Sequence, residues 1–465
     1  MIACASFADK RIAVVGLGRS GMASARALKA SGARVVVWDD NAPARAVAEA
    51  EGFAASPPET IDWAATAALV LSPGIPHTHP TPHPAAQMAK DAGAPIIGDI
   101  ELLALSGTPA PMAAVTGTNG KSTTTALLGH IAHEAGITAE VGGNLGPAIS
   151  DMAMLDADGV YVLELSSYQL ELCPSAHFRV AVLLNITPDH LGRHGGMDGY
   201  TAAKLNIFRA QGAKDAAIVG IDGEPTRAIF DALRQAGKQR LIPVSVTGKA
   251  PGGVHVDGGW LIDDMDGDAR AVMALADAPR LPGPHNAQNM AAAYAAARHL
   301  GVAADVVARA IRTFPGLAHR QEFIAEIGGV AYVNDSKATN AEATAKALAC
   351  YGDIYWIVGG LAKEGGLDGL DDLLGRVHRA FLIGEAAESF ARQLDGKVEF
   401  ERCGDLKTAT HAAHAAAAGK SGATVLLSPA CASFDQFRNF EHRGDVFRAL
   451  VGELRQDATA QVGAA

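Results

Sequence analysis

Short apolar runs that end in glycine or polar clusters recur along the whole chain, and the stretches between them carry apolar residues at helical spacing. Lys10 to Val15 reads as a buried strand, Gly16 to Gly21 as a tight turn, Met22 to Ala30 as a helix, and Arg34 to Trp38 as a second strand ending at Asp39 and Asp40. That is a βαβ unit. Leu69 to Pro76 reads as a strand running into a loop. The alternation continues with strands at Met112 to Val115, Gly159 to Leu163, Arg179 to Leu184 and Ala216 to Val219, and with helices at Thr124 to His130, Tyr200 to Phe208 and Asn286 to Leu300. Beyond Phe314-Pro-Gly316 a further block has strands near Val330 to Val333, Ile354 to Val358, Arg379 to Ile383 and Thr424 to Leu427, and the alanine-rich stretch Ala409 to Ala418 is a helix by propensity. The pattern predicts an α/β protein with doubly wound, mostly parallel sheets. There is no internal repeat of solenoid period.

A chain of 465 residues corresponds to about three domains of ~150 residues. The loop-forming cluster Ser106-Gly-Thr-Pro-Ala-Pro111 puts the first boundary between Gly98 and Pro111. A net charge of −11 argues against nucleic acid or an anionic membrane as partner, and small molecules are expected instead. Five scattered cysteines without a C-x-x-C indicate neither a disulfide frame nor a zinc site, as in a reducing cytoplasm. No charged segment leads into a long apolar one and no apolar run approaches ~18 residues, so neither secretion nor a membrane span is expected.

The most informative segment is Thr116-Gly-Thr-Asn-Gly-Lys-Ser-Thr123, entered from an apolar strand and followed by a helix. Gly117 and Gly120 let the backbone turn its N–H groups toward a triphosphate, the helix N-terminus adds positive potential, Lys121 can reach the β/γ oxygens, and Ser122 can ligate Mg²⁺. Val115 stands where the general phosphate-loop pattern has its first glycine. The alternative, an ordinary turn with a solvated lysine, leaves the register of Gly, Gly, Lys and Ser unexplained.

Gly16-Leu-Gly-Arg-Ser-Gly21 followed by Asp39 matches a dinucleotide fingerprint, in which the carboxylate holds a ribose. Glycines serving only close packing of helix on strand are the alternative. The tract His77-Thr-His-Pro-Thr-Pro-His83 is loop-like, and its prolines make it a poor metal cage. Glu164 follows an apolar strand, where a parallel sheet delivers residues to the edge it shares with the glycine loop, and a carboxylate there suits Mg²⁺. Asn185-Ile-Thr-Pro-Asp-His190 repeats that placement, with His190 a second candidate ligand. Lys204 reads on composition alone as a surface lysine. His319-Arg320 offers a cation pair for phosphate or carboxylate. Asn334 to Asn340, Lys363 and the stretch Ser428 to Phe440 give several strand ends of the last block the same density of functional groups.

Taken in order, the glycine loop, Leu163-Glu-Leu-Ser-Ser-Tyr-Gln169, Asn185 to His190, His285-Asn-Ala-Gln-Asn289, Ala318-His-Arg320, Asn334 to Asn340 and Ser428 to Gly444 closely resemble the Mur ligases over essentially the whole chain. The opening glycine turn and Ser428-Pro-Ala-Cys-Ala-Ser-Phe-Asp-Gln-Phe437 look like the D-glutamate-adding branch, and the Asp-Asn-Pro-Arg signature of the diaminopimelate- or lysine-adding branch is missing. The resemblance implies three domains: a Rossmann-like UDP-sugar-binding domain in 1–100, a central ATP-binding P-loop domain in 101–315, and a Rossmann-like amino-acid-binding domain in 316–465. It implies ATP-dependent amide synthesis through an acyl phosphate, with UDP-N-acetylmuramoyl-L-alanine and D-glutamate as substrates. ATP, two Mg²⁺ ions and a CO₂-derived carbamate on Lys204 go with it, in a cytoplasmic monomer.

By motif position the resemblance implies catalytic roles for Lys121, Lys204 and His319, the last beside the reacting phosphate. Gly117, Thr118, Asn119, Gly120, Lys121, Ser122, Thr123, Asn286, Arg320 and Asp335 would bind ATP, and Ser122, Glu164, His190 and carbamylated Lys204 would hold metal. Arg19, Ser20, Ser72, Gly74, Asn144 and His190 would bind the UDP-sugar, and Thr339, Lys363, Ser433 and Phe440 the D-glutamate. The family often places threonine and arginine after the second strand, whereas this chain has Asp40 and Asn41, so diphosphate charge must be met elsewhere, by Arg19 or backbone N–H groups. Two readings compete with a ligase: an NAD-linked oxidoreductase built on Gly16 to Asp39, and a non-catalytic nucleotide-binding regulator using the loop at Lys121. The first leaves the lysine loop without a task, and the second leaves Glu164, His190 and the Asn334 cluster without one.

Overall fold

A computed structural model describes residues 1–463. It is α/β throughout, with three sheets in three domains. By chain contacts the described residues form two compact units, one of 1–278 with 286–313 and one of 279–285 with those from 314 onward.

The first unit holds two sheets. The smaller runs in the order Ala54–Ala55, Arg34–Trp38, Arg11–Val15, Thr66–Leu71, Ile96–Ile97, all parallel. Its central strands are runs of Ile, Val, Ala and Leu because both faces are covered by helices. Chain order reverses between Arg11–Val15 and Thr66–Leu71, so the glycine turn after the first and Ser72 after the second flank the crevice where such sheets take ligands. The larger sheet has nine strands in the order Arg270–Ala274, Trp260–Asp263, Val254–Asp257, Arg240–Ser245, Ala216–Gly220, Val180–Leu183, Met112–Thr116, Val160–Glu164, Ala139–Gly143. Seven of them, from Val254–Asp257 to Ala139–Gly143, run parallel, and Trp260–Asp263 and Arg270–Ala274 at the other edge are joined by antiparallel pairing. Helix Pro284–His299 is buried along Met290 to Ala297, which its run of alanines permits.

The second unit has a six-stranded sheet in the order Glu322–Ile327, Val330–Asn334, Thr424–Leu427, Ile354–Gly359, Val377–Ile383, Phe400–Gly404, parallel except for the first pair.

Strands Ala139–Gly143, Arg240–Ser245, Arg270–Ala274 and Phe400–Gly404 add to the expected ones, and three further departures have local causes. Two hairpins went unanticipated, Val254–Asp257 with Trp260–Asp263 and Glu322–Ile327 with Val330–Asn334. Each turns on two glycines with positive φ, Gly258-Gly259 and Gly328-Gly329, the pair that two-residue hairpin turns favour. Helix Lys121–Glu134 begins three residues earlier than its apolar pattern because Gly120, at φ +88°, ends the loop there. The stretch expected as one helix to Phe208 is an α-helix at Met197–Leu205 continued by a 3-10 turn at Asn206–Phe208. Among the described residues no helix is long and apolar enough to cross a membrane.

Candidate active site

In the first unit three polar segments leave the carboxyl ends of three adjacent strands of the larger sheet. They are the glycine loop after Met112–Thr116, the Glu164 segment in Val160–Glu164, and Asn185 to His190 after Val180–Leu183. The chain order switches sides here, so the strand ends open onto a common crevice. A cleft of about 360 Å³ forms there, lined by Lys121, Asn144, His190 and Lys204 from the larger sheet's domain and by Arg19, Ser20 and Gly74 from the smaller one's. Ser72, Ser122 and Glu164 are not among the cleft's lining residues.

The glycine loop is braced from below. Asn185 accepts the Thr118 N–H at its carbonyl (2.9 Å) and the Asn119 N–H at Oδ1 (2.8 Å), and its Nδ2 donates to the Asn119 carbonyl (3.2 Å). Two of the loop's amides are thereby spent on its own shape, which narrows the expectation that the whole loop turns its N–H groups to phosphate. A side chain at Gly120 would put its Cβ 2.3 Å from Asn289 Oδ1, so only glycine fits. Asn289 also accepts from Thr124 Oγ1 (3.2 Å) and donates to Asn286 Oδ1 (3.0 Å), which ties Asn286 to the loop's helix. Thr118 Oγ1 lies 3.0 Å from the Tyr200 hydroxyl, and Lys121 Nζ bends back to donate to the Gly117 and Thr118 carbonyls (2.9 and 2.8 Å). Thr123 is buried and Ser122 half-buried in the first turn of the helix.

Glu164 is 2% exposed. Its Oε1 accepts from Asn144 Nδ2 (2.7 Å), and its Oε2 is buried without a hydrogen-bond partner. A buried carboxylate oxygen left unpaired is unfavourable unless a cation or donor joins it. Among the described residues no three His, Cys, Asp or Glu side chains form a metal cluster. Mg²⁺ takes one or two protein oxygens and completes its shell with phosphate and water, and the unpartnered Glu164 Oε2 is such an oxygen. The residues present fit such an ion. His190 sits at φ +53° with its side chain half-exposed and its Nε2 3.4 Å from Asp189.

Lys204 is not the surface lysine that composition implies. It is 1% exposed, donates to the Gly117 carbonyl (2.9 Å) and Thr116 Oγ1 (3.3 Å), and lies 4.7 Å from the Tyr200 ring. Burial, with a smaller contribution from Lys121, pushes its pKa down to about 7. The helix carrying it packs across the strand ends, which residue type alone does not encode.

The dinucleotide fingerprint fails on geometry. Asp39 Oδ2 accepts the Leu17 N–H (2.6 Å) and Oδ1 the Asn41 N–H (2.8 Å), so its carboxylate braces the glycine turn. Gly16 and Gly21 are needed for packing, since a Cβ at Gly16 would meet Ser72 Cβ at 2.5 Å and one at Gly21 the Gly16 carbonyl at 1.8 Å. Arg19 donates to the Gly146 carbonyl (2.6 Å), and Ser20 follows it in the first turn of the same helix. In the histidine tract, His83 caps helix Pro84–Asp91 and lies 3.2 Å from Asp40, while His77 meets Arg193. These histidines have structural partners.

In the second unit the expected residues again cluster at strand ends. Asp335 is buried, with Oδ2 accepting from Ser428 Oγ (2.8 Å) and Oδ1 from the Gln321 N–H (3.1 Å), and burial raises its pKa to about 7. His319, at φ +61°, donates its N–H to Glu322 Oε2 (2.9 Å), has Nδ1 3.1 Å from Asn334 Nδ2, and meets the Phe440 ring edge to face. Burial holds its imidazole below the ordinary pKa. Arg320 follows it, half-buried. The Leu361 and Ala432 backbones exchange hydrogen bonds (2.9 and 3.0 Å), which ties the segment of exposed Lys363 to that of buried Ser433. Thr339 is half-buried at the end of the Asn334 segment.

Two residues that sequence reading passed over matter here. Arg443 is 1% exposed and donates to Ser336 Oγ and O and to the Cys431 carbonyl, and so joins the two segments. Glu322 binds the His319 N–H, Asn334 and Arg448 together. A single arginine or glutamate in a polar stretch reads as surface, so neither gave a signal.

Residues 115–297 match the Mur ligase middle domain and residues 10–98 the Mur ligase MurD-like N-terminal domain. The chain is 52% identical over 462 residues to UDP-N-acetylmuramoylalanine–D-glutamate ligase of Paramagnetospirillum magneticum, covering 99% of this chain and 100% of that one. The chain belongs to the Mur ligase family. It is 51% identical to the enzyme of the same name from Rhodospirillum rubrum, over 98% of this chain and 97% of that one. Among solved structures, the UDP-N-acetylmuramate-alanine ligase MurC of Thermotoga maritima shares the fold at TM-score 0.58 and 16% identity, over 95% of this chain and 99% of that one. A Mur ligase is an ATP-dependent enzyme that forms amide bonds, and this chain is one, serving the synthesis of peptidoglycan precursors. ATP and Mg²⁺ use come with the family.

Proposed function

We propose that this Mur ligase joins D-glutamate to UDP-N-acetylmuramoyl-L-alanine, with ATP converted to ADP and phosphate. The observation that carries the reading is the meeting of Lys121, Lys204 and Asn144, partner of the half-satisfied Glu164, with Arg19, Ser20 and Gly74 on one cleft. The relatives named for this reaction across nearly the full chain support it.

In the proposed sequence a carboxylate oxygen of the acceptor attacks the γ-phosphorus, the bond to the β-bridging oxygen breaks, and ADP departs. The D-glutamate nitrogen then attacks the acyl carbon, the carbon–oxygen bond to phosphate breaks, and the amine gives up a proton as phosphate leaves. The chain's work is charge neutralisation and alignment. Lys121 would release the loop carbonyls to reach the phosphates, and the amide end of helix Lys121–Glu134 would face them. Gly117, Thr118, Asn119, Gly120, Ser122, Thr123, Asn286, Arg320 and Asp335 would complete the ATP contacts, with His319 beside the phosphate.

Ser122, Glu164, His190 and a carbamate on Lys204 would hold two Mg²⁺ ions, which supply charge neutralisation at the phosphoryl oxygens. Only an unprotonated amine adds CO₂, and Lys204 is held near that state by burial. Arg19, Ser20, Ser72, Gly74, Asn144 and His190 are proposed to bind the sugar nucleotide, and Thr339, Lys363, Ser433 and Phe440 the D-glutamate. The domain roles follow: sugar nucleotide in 1–100, ATP in 101–315 and amino acid in 316–465, in a cytoplasmic monomer with no nucleic-acid partner.

An ADP-release assay with magnesium, ATP and UDP-N-acetylmuramoyl-L-alanine tests this. ADP is expected with D-glutamate and not with L-glutamate or L-alanine. Equal release with the three amino acids, or none with D-glutamate, overturns the proposal.

A further inference from the structure

One buried polar cluster between the two sheets of the first unit has no task in the reaction described. Glu171, at the end of helix Ser167–Glu171, has a side chain only 16% exposed. Its Oε1 lies 3.0 Å from His194 Nδ1 and its Oε2 3.3 Å from Arg193 Nη1. Arg193 is itself 9% exposed, and its Nη2 lies 3.3 Å from Nδ1 of His77. A guanidinium can only donate, so His77 accepts there and its Nδ1 is unprotonated. His77 belongs to the proline-bounded loop of the smaller sheet that also carries Ser72 and Gly74.

On its other side the Arg193 guanidinium stands 5.0 Å from the centre of the Tyr168 ring. Tyr168 lines the cleft, and its ring centre is 5.1 Å from that of His190. A nearly buried guanidinium needs an anion, and Glu171 is the carboxylate that meets it. The carboxylate pairs with the guanidinium by charge, without a hydrogen bond between Oε2 and Nη1, while the guanidinium donates through Nη2 to His77 of the loop and stands beside the Tyr168 ring.

We propose that Glu171 is a positioning residue for acceptor binding: through Arg193 it registers the His77 loop, with Ser72 and Gly74, against the cleft wall formed by Tyr168 and His190. The proposal rests on the sugar-nucleotide reading of the cleft. It also gives the histidine tract a use, as the docking face of that loop.

Calorimetric titration of the full chain with UDP-N-acetylmuramoyl-L-alanine and, separately, with ATP tests it on Glu171→Gln, His77→Ala and His77→Asn. Glu171→Gln and His77→Ala are expected to weaken the sugar nucleotide about tenfold and leave ATP within about twofold. His77→Asn, whose Oδ1 replaces Nδ1 as acceptor, is expected to recover most of the loss. A purely structural role would weaken both ligands together, or leave His77→Ala and His77→Asn alike, and either result overturns the proposal even if Glu171→Gln fails to fold. If the wild-type chain binds the sugar nucleotide and both Glu171→Gln and His77→Ala bind it equally well, the proposal alone fails. If the wild-type chain does not bind it, the reading of the cleft fails first.

Discussion

Replacing Lys204 by methionine separates what this side chain does for the reaction from what it does to the fold. Burial lowers its pKa from the ordinary 10.5 to about 7. Between about pH 7 and 10.5 the unfolded chain holds a proton at this lysine that the folded chain has given up, so the contribution of Lys204 to wild-type stability rises with pH across that range and is least favourable below 7. At pH 7.5 the burial penalty amounts to about 4 kcal/mol. Methionine removes that penalty and forfeits two hydrogen bonds, to Gly117 and Thr116, worth about 1 kcal/mol each. The net expectation is a gain of about 2 kcal/mol at pH 7.5, a rise of a few degrees in the unfolding midpoint of the first unit.

The same substitution is expected to lower the rate of ADP release at least about a hundredfold, since no amine remains to take up CO₂. Thermal unfolding followed by fluorescence, in CO₂-depleted and magnesium-free buffer from pH 7 to 9.5, is the assay. Wild type should gain stability across that range and Lys204→Met should stay nearly flat. A variant less stable than wild type at pH 7.5, or one with the same pH slope, refutes the argument from burial. Lys204→Ala supplies the chemical counterpart: partial recovery of activity with added short-chain carboxylates is expected, and no recovery across a concentration series counts against the carbamate.

Lys121→Ala is expected to reduce turnover below about 1% of wild type while sugar-nucleotide affinity stays within a few-fold, as calorimetry would check; loss of both would mean a damaged cleft. Glu164→Gln keeps the shape that meets Asn144 but removes the charge at the buried, unpaired oxygen, so the magnesium concentration for half-maximal activity should rise about tenfold or more, and an unchanged magnesium titration would contradict a metal role. Gly444→Ala would place a Cβ 2.1 Å from His319 Nδ1, whereas Gly452, on the same helix, has open space beside its Cβ position. The first is expected to destabilise the second unit by about 1–3 kcal/mol and slow turnover, and Gly452→Ala to be neutral or stabilising by up to about 1 kcal/mol; equal effects in denaturant melts would refute the steric argument.

Much of this protein is local in origin. Runs such as Ile12 to Val15, Ala113 to Val115 and Ile354 to Val358 become buried parallel strands because they are short, rich in β-branched residues and apolar on both faces. The loop at Gly117 and Gly120 declares itself because positive φ and close contact leave glycine as the fitting residue. The order of motifs was enough to place the chain in its family. The two missed hairpins were also legible, as glycine pairs between short apolar runs.

The chemistry of single polar side chains was not. Lys204, Arg193 and Arg443 carry the same residue types as dozens of solvated positions, and only packing takes them out of water. Burial and the identity of the facing partner set the charge state of a lysine or the need of a carboxylate for a cation, and those come from segments far away in the chain. Asp39 shows the converse: its sequence context suits a ribose, yet the fold turns its carboxylate onto the Leu17 and Asn41 amides. Sequence determined which elements form and which loops hold glycine, while tertiary structure decided which charges lie dry and against what, because desolvation is a property of the whole surrounding shell.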